Sequence, residues 1–210
     1  MNNIQNGDRI LFQGDSITDC GRRETADGLG EGYVSVVAGL IPLLQPDLNI
    51  TILNRGVGGD RSAELLARWE EDCIDLRPTV LSIMVGVNDV WRIAGEWNGQ
   101  KYIGPDEYRT NCTALIDQAL EGGVRQLILC SPTTIENATN ERMATLLAER
   151  GQIVRELAAK YRAIYVPTAE LQLDLLHRRP DIMWTYDGCH PTMAGHAAMA
   201  HCWLKAVSLL

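Results

Sequence analysis

Five times along the chain, a short apolar run is followed by a stretch with helical periodicity, and no other feature limits the fold so strongly. RILFQ precedes YVSVVAGLIPLL, NITILN precedes SAELLARWEEDCIDL, and VLSIMV precedes DEYRTNCTALIDQAL. RQLILC precedes a loop and a long helix, and AIYV precedes AELQLDLLH. Runs without polar alternation belong to strands covered on both faces, so the fold class is α/β: a three-layer α/β/α sandwich around a five-stranded parallel sheet with right-handed crossovers. The long helix, from about Glu141 to Tyr161, carries Met143, Leu147, Val154, Leu157 and Tyr161 on one side, the stripe a helix buries on a sheet. At 210 residues the chain suits a single domain, 1–210, and it shows no repeat or linker.

Chemistry in such a sheet gathers beyond the carboxyl ends of the strands. Those ends read GDS (residues 14–16), NRGVGGD (54–60), GVND (86–89) and SPTT (131–134), and a further polar cluster, YDGCHPTMAGH (186–196), precedes the last helix. A serine at a strand-to-helix turn presents its hydroxyl on a rigid platform, which makes Ser16 a candidate nucleophile. On the triplet alone, a helix-capping serine is the commoner outcome. A nucleophilic serine needs a base and the base needs an orienter; Asp187-x-x-His190 supplies both within one tight turn, and Pro191 keeps His190 out of a helix.

The oxyanion formed on attack needs donors. Gly59, with no Cβ, lets an oxygen approach its backbone N–H, and Asn88 offers a neutral amide, so with the Ser16 N–H these make a three-donor hole. GVGGDR begins like a dinucleotide fingerprint, but Arg61 stands where the third glycine would have to be. His196 and His201 lie five residues apart in the last helical pattern, the wrong step for helical metal ligands, and read as structural, as does His177. Two other classes are weighed: a metal hydrolase using Asp187, His190 and His196, and a sugar- or nucleotide-binding domain without chemistry, which would need a broken triad.

In the order GDSI (14–17), GGD (58–60), GVND (86–89) and DGCH (187–190), these blocks resemble the GDSL-type serine hydrolases, called SGNH after their serine, glycine, asparagine and histidine. The likeness spans nearly the whole chain. It implies the family's flavodoxin-like sandwich, with Ser16 as nucleophile, Ser16, Gly59 and Asn88 as oxyanion donors, and Asp187 and His190 as acid and base. Ile17 replaces the leucine of the family name, a mild departure. Asp15 and Asp89 are motif acids with no base to orient and read as scaffold.

Longer stretches, GDSITDCGR, GYVSVVAGL, ARWEED and SIMVGVNDVWR, look like intracellular acetylxylan esterases that deacetylate xylo-oligosaccharides, which implies an acetylated sugar as substrate and a homo-oligomeric enzyme. A broad short-chain acyl esterase or thioesterase is the alternative. Trp91, Trp97, Tyr102, Trp184 and Tyr186 flank the inferred site; of these, Trp91, Trp184 and Tyr186, with Arg92 and Asp15, are the candidate substrate contacts. The aromatics serve equally well as core or interface residues. One Phe and no long apolar lid speak against lipid.

A net charge of −8 with no basic cluster argues against nucleic acid and anionic membranes as partners. MNNIQNGDR lacks the features of a signal peptide and no run approaches ~18 apolar residues, so a cytoplasmic address is expected. Six scattered cysteines form no C-x-x-C pair, which leaves no zinc or redox motif; most are expected to be reduced core residues, and no cofactor is called for.

Overall fold

A computed structural model describes residues 4–94, 99–133 and 141–210; Trp97 and Thr134 lie outside them. Strands β1 (Arg9–Gly14), β2 (Thr51–Asn54), β3 (Val80–Met84), β4 (Gln126–Cys130) and β5 (Ile164–Val166) form one parallel sheet in the order β2-β1-β3-β4-β5. This is the α/β sandwich of the sequence reading. Every residue of β3 is buried and β1 exposes only Arg9, as central strands require, whereas the edge strand β2 keeps only Asn54 buried.

The pleat sends Ile10, Phe12, Val80, Met84 and Ile128 to one face and Leu11, Leu81, Ile83, Leu127 and Leu129 to the other. On the first face lie α2 (Tyr33–Leu44) and α8 (Met193–Ala206). Phe12 meets Tyr33 edge-on at 5.8 Å and Trp203 at 5.1 Å, and the Trp203 indole donates to Ser82 Oγ at 3.0 Å. The second face is covered by α3 (Ser62–Ala67), α5 (Pro105–Glu121) and much of α6 (Glu141–Tyr161). Of the α6 stripe, Met143, Leu147, Val154 and Leu157 are buried and Tyr161 is half-exposed, its hydroxyl donating to Asp117 at 2.6 Å.

Three further α-helices are described, the single turns α1 (Ser16–Asp19) and α4 (Val87–Trp91), which follow β1 and β3, and α7 (Thr168–Arg178), together with a π-helical turn over Glu70–Ile74 and a 3-10 turn over Arg92–Ala94. All six cysteines are unpaired, four of them buried. Among the described residues, no helix is long and apolar enough to cross a membrane.

Candidate active site

Gly14 ends β1 because nothing larger fits there. A Cβ on it would stand 2.4 Å from both the Met84 carbonyl of the adjacent strand and Thr18 Oγ1, so the requirement is close packing of the turn. Asp15 follows in an extended conformation and its carboxylate accepts from Ile17 N at 3.1 Å. The cap of α1 is therefore Asp15, and Ser16 is the first helical residue with its hydroxyl turned outward. Ser16 Oγ lies 2.9 Å from His190 Nε2.

Asp15 is only 2 % exposed, which leaves it no surface to offer a substrate and agrees with the scaffold reading rather than with its place among the candidate contacts. Burial pushes its carboxyl up to about 7, with the Ile17 N–H opposing. The unfolded chain releases this proton near 3.8 and the folded one near 7, so stability is lost as pH rises between them. Asp15→Asn keeps a cap acceptor without the charge. Its urea-unfolding free energy relative to the parent is expected to improve from pH 4 to pH 8 by at most about 4 kcal/mol. A pH-independent difference would show that Asp15 is charged in the folded protein.

The base sits in a tight turn closed by an antiparallel bridge between Thr185 and Pro191, with Tyr186 N donating to the His190 carbonyl at 2.9 Å. Inside it, Asp187 Oδ1 accepts from Cys189 N at 3.0 Å and His190 N at 2.8 Å, while Oδ2 meets His190 Nδ1 at 2.7 Å. Partial burial would raise the Asp187 carboxyl, but these hydrogen bonds outweigh it and hold the group below the ordinary carboxylate range. With Nδ1–H given to Asp187, Nε2 is left to accept from Ser16.

The glycine loop runs beside α1. Val57 N donates to the Gly14 carbonyl at 3.1 Å and Gly58 N to Asp19 Oδ2 at 3.2 Å. Gly59 has φ +85°, which a side chain would strain. Its loop is gripped by one turn of helix and the residue after it. Asn88 Nδ2 donates to the Asp60 carbonyl at 3.1 Å, Asp89 accepts from Ser62 N at 3.0 Å and from Ser62 Oγ at 2.5 Å, and Arg92 donates to the Gly59 carbonyl at 3.2 Å. Burial raises the Asp89 carboxyl to about 6 against the pull of the Ser62 hydrogen bonds, as befits a scaffold group. One Asn88 amide hydrogen is used on Asp60, and the second suits a ligand oxygen.

Sequence reasoning missed the grip of Asp89 and Arg92. The i, i+4 spacing of Asn88 and Arg92 is the signal that marks a shared helix face. Arg92, read as a substrate contact, is buried and also donates to Gln100 Oε1 at 3.0 Å, so its role is corrected to holding the Gly59 loop. Trp91 is half-buried against the core, and the Trp184 indole donates to the Arg179 carbonyl at 2.9 Å beside a cavity of about 20 Å³ between α7 and α8. Tyr102 accepts from the buried Arg150 at 3.2 Å. Tyr186, 73 % exposed and adjacent to Asp187, is the one candidate contact standing fully in solvent. His196 turns away from Asp187 and His190, towards Tyr33 N and Cys20, and among the described residues no three His, Cys, Asp or Glu side chains are grouped to hold a metal ion.

A sequence model of the GDSL-like lipase/acylhydrolase family matches residues 12–198. The chain is 35 % identical, over 97 % of its length and 95 % of the relative's, to an acetylxylan esterase from Geobacillus stearothermophilus. Its backbone superposes on the crystal structure of Axe2, an acetylxylan esterase from that organism, with TM-score 0.87 at 34 % identity, covering 99 % of this chain and 96 % of that one. A candidate GDSL-like lipase from Parabacteroides merdae gives TM-score 0.88 at 32 % identity, covering 100 % and 99 %.

Proposed function

The chain belongs to the GDSL-like lipase/acylhydrolase family and is a carboxylic ester hydrolase, and from that premise we propose that it removes acetyl groups from xylo-oligosaccharides through an acetyl-enzyme on Ser16. The observation that carries this reading is the unbroken relay from Ser16 Oγ to His190 Nε2 and from His190 Nδ1 to Asp187. Ser16 Oγ attacks the acetyl carbonyl as His190 takes its proton. The negative oxygen is received by the Ser16 and Gly59 N–H groups and the Asn88 amide. His190 returns the proton to the departing sugar hydroxyl, then activates the water that releases acetate.

Acetyl as the acyl group is supported by the 35 % identity to an acetylxylan esterase over 97 % of the chain. Among the described residues, a cavity lined by Val85, Tyr108, Leu115 and Leu157 and another between α7 and α8 each have about 20 Å³, room for a water and not for a chain, while one of about 300 Å³ between α6 and α7 carries Arg155 and Glu170 beside Leu147 and Leu173. An open cavity of about 590 Å³, bounded by the loop after α1 and by Met193, offers Thr25, Asp27, Glu31 and Ser35 to hydroxyl groups. A groove for acyl chains would add about 0.8 kcal/mol per buried methylene and raise kcat/KM with length. We expect kcat/KM to fall from acetyl to octanoyl esters and acetylated xylobiose to be hydrolysed. A rise with length, or inert acetylated xylobiose, would leave the broad acyl esterase.

As a single domain over residues 1–210, the enzyme is assigned to the cytoplasm, where six unpaired cysteines fit a reducing compartment. The exposed side chains of Met183, Tyr186 and Met193, close in sequence to His190, support a homo-oligomer.

A further inference from the structure

His196 lies six residues after His190, in the first turn of α8, and is 5 % exposed. Nothing in the acyl-transfer steps uses it. Its Nδ1 accepts the N–H of Tyr33 at 3.1 Å. That N–H opens α2 and has no partner within the helix, and the capping residue Gly32 has no side chain to supply one. A ring that accepts at Nδ1 carries its proton on Nε2, and Nε2 faces Cys20 Sγ at 3.5 Å. Burial, and then the nearby His190, push the pKa of His196 down to about 4, so the ring stays neutral as both contacts require.

Cys20 is the C-cap of α1. It holds a left-handed conformation, φ +39°, and its N–H donates to the Ser16 carbonyl at 2.9 Å. The three segments meet so closely that a Cβ on Gly32 would lie 2.8 Å from Cys20 Cβ and 3.1 Å from His196 Cε1. On the other side, His196 N donates to the Thr192 carbonyl at 2.8 Å, and Thr192 N to the Trp184 carbonyl at 2.9 Å, across the turn that carries His190. One imidazole thus touches the end of the nucleophile's helix, the start of α2 and, along its own backbone, the base loop.

We infer that His196 is a positioning residue: acting through Cys20, it locks the α1 turn bearing Ser16 to the loop and helix bearing His190, and so sets the Ser16–His190 contact. The inference rests on the serine mechanism proposed above. Proton transfer needs that contact at hydrogen-bond length, and a displacement near 1 Å can cost ~10² in rate.

The test uses the full chain with His196→Asn, Cys20→Ala and the double variant. Asn places an acceptor where Nδ1 stood, keeping the α2 cap, but cannot reach Cys20. Acetyl-ester kinetics, labelling of Ser16 by an organophosphonate, and thermal melting are measured together. Each single variant is expected to lose about 10- to 100-fold in kcat and in labelling rate with KM little changed. The double variant should lose no more than the worse single one, because both break one link. A variant with a lowered melting point but parental kcat and labelling overturns the inference, as does a multiplicative loss in the double. A parent that releases acetate without labelling on Ser16 overturns the serine mechanism and this inference together, whereas a labelled parent with unaffected variants overturns this inference alone.

Discussion

Ser16→Ala is expected to lower kcat by about 10⁶ while leaving the melting temperature within experimental error of the parent. The size of the loss follows from removing the only atom that attacks. His190 and Asp187 then have nothing to activate, and what is left over the uncatalysed reaction, some 10³ to 10⁴, comes from the oxyanion donors and binding. Stability should hold because, among the described residues, the half-exposed Ser16 hydroxyl bonds only to His190, while the capping of α1 is done by Asp15. The measurement is acetate release by parent and variant at equal concentration, with a thermal melt of each. Turnover that survives the substitution would remove the acyl-enzyme.

Asp187→Asn is expected to cost about 10⁴ in kcat with KM nearly unchanged. An asparagine fits the turn and can still accept from His190 N and Cys189 N through its carbonyl oxygen. The amide nitrogen then replaces Oδ2, which lies 2.7 Å from His190 Nδ1, and two donors cannot face each other. The imidazole answers by moving its proton to Nε2, where it points at Ser16 and cannot accept the hydroxyl proton. The charge that steadies the imidazolium is also gone. Steady-state kinetics, with the far-downfield ring proton of His190 followed by NMR, checks both halves. A parental kcat would mean that Asp187 serves only the turn.

Much of this was legible in the chain itself. RILFQ and VLSIM announce central strands because their apolar residues do not alternate with polar ones, and all of β3 is buried; the buried polar exceptions, Gln13 and Ser82, are hydrogen-bonded to the Asp72 carbonyl and the Trp203 indole. Ser16, Asp187 and His190 could be picked out because a parallel sheet brings its strand ends together whatever their separation in sequence. The finer assignments turn on contacts that no local pattern encodes. Asp15 and Ser16 are both capping types, and only the actual start of α1 decides which one caps and which one faces the base. Arg92 stands four residues after Asn88, where a substrate contact is expected, yet its guanidinium turns inward to the Gly59 carbonyl. For His196, the Tyr33 partner is 163 residues away, so the helix it caps is not its own.

The two halves of the Ser16–His190 pair are 174 residues apart, the serine opening α1 just after β1 and the histidine just before α8. A ribosome therefore releases the nucleophile long before its base exists, and the emerging polypeptide carries an inert hydroxyl until α8 docks against α2. Such a distant pairing is slow to form and, once formed, reports that everything between has folded. Catalytic competence is thus a late checkpoint of biosynthesis, and nascent or clipped chains should have no hydrolytic activity towards the esters around them.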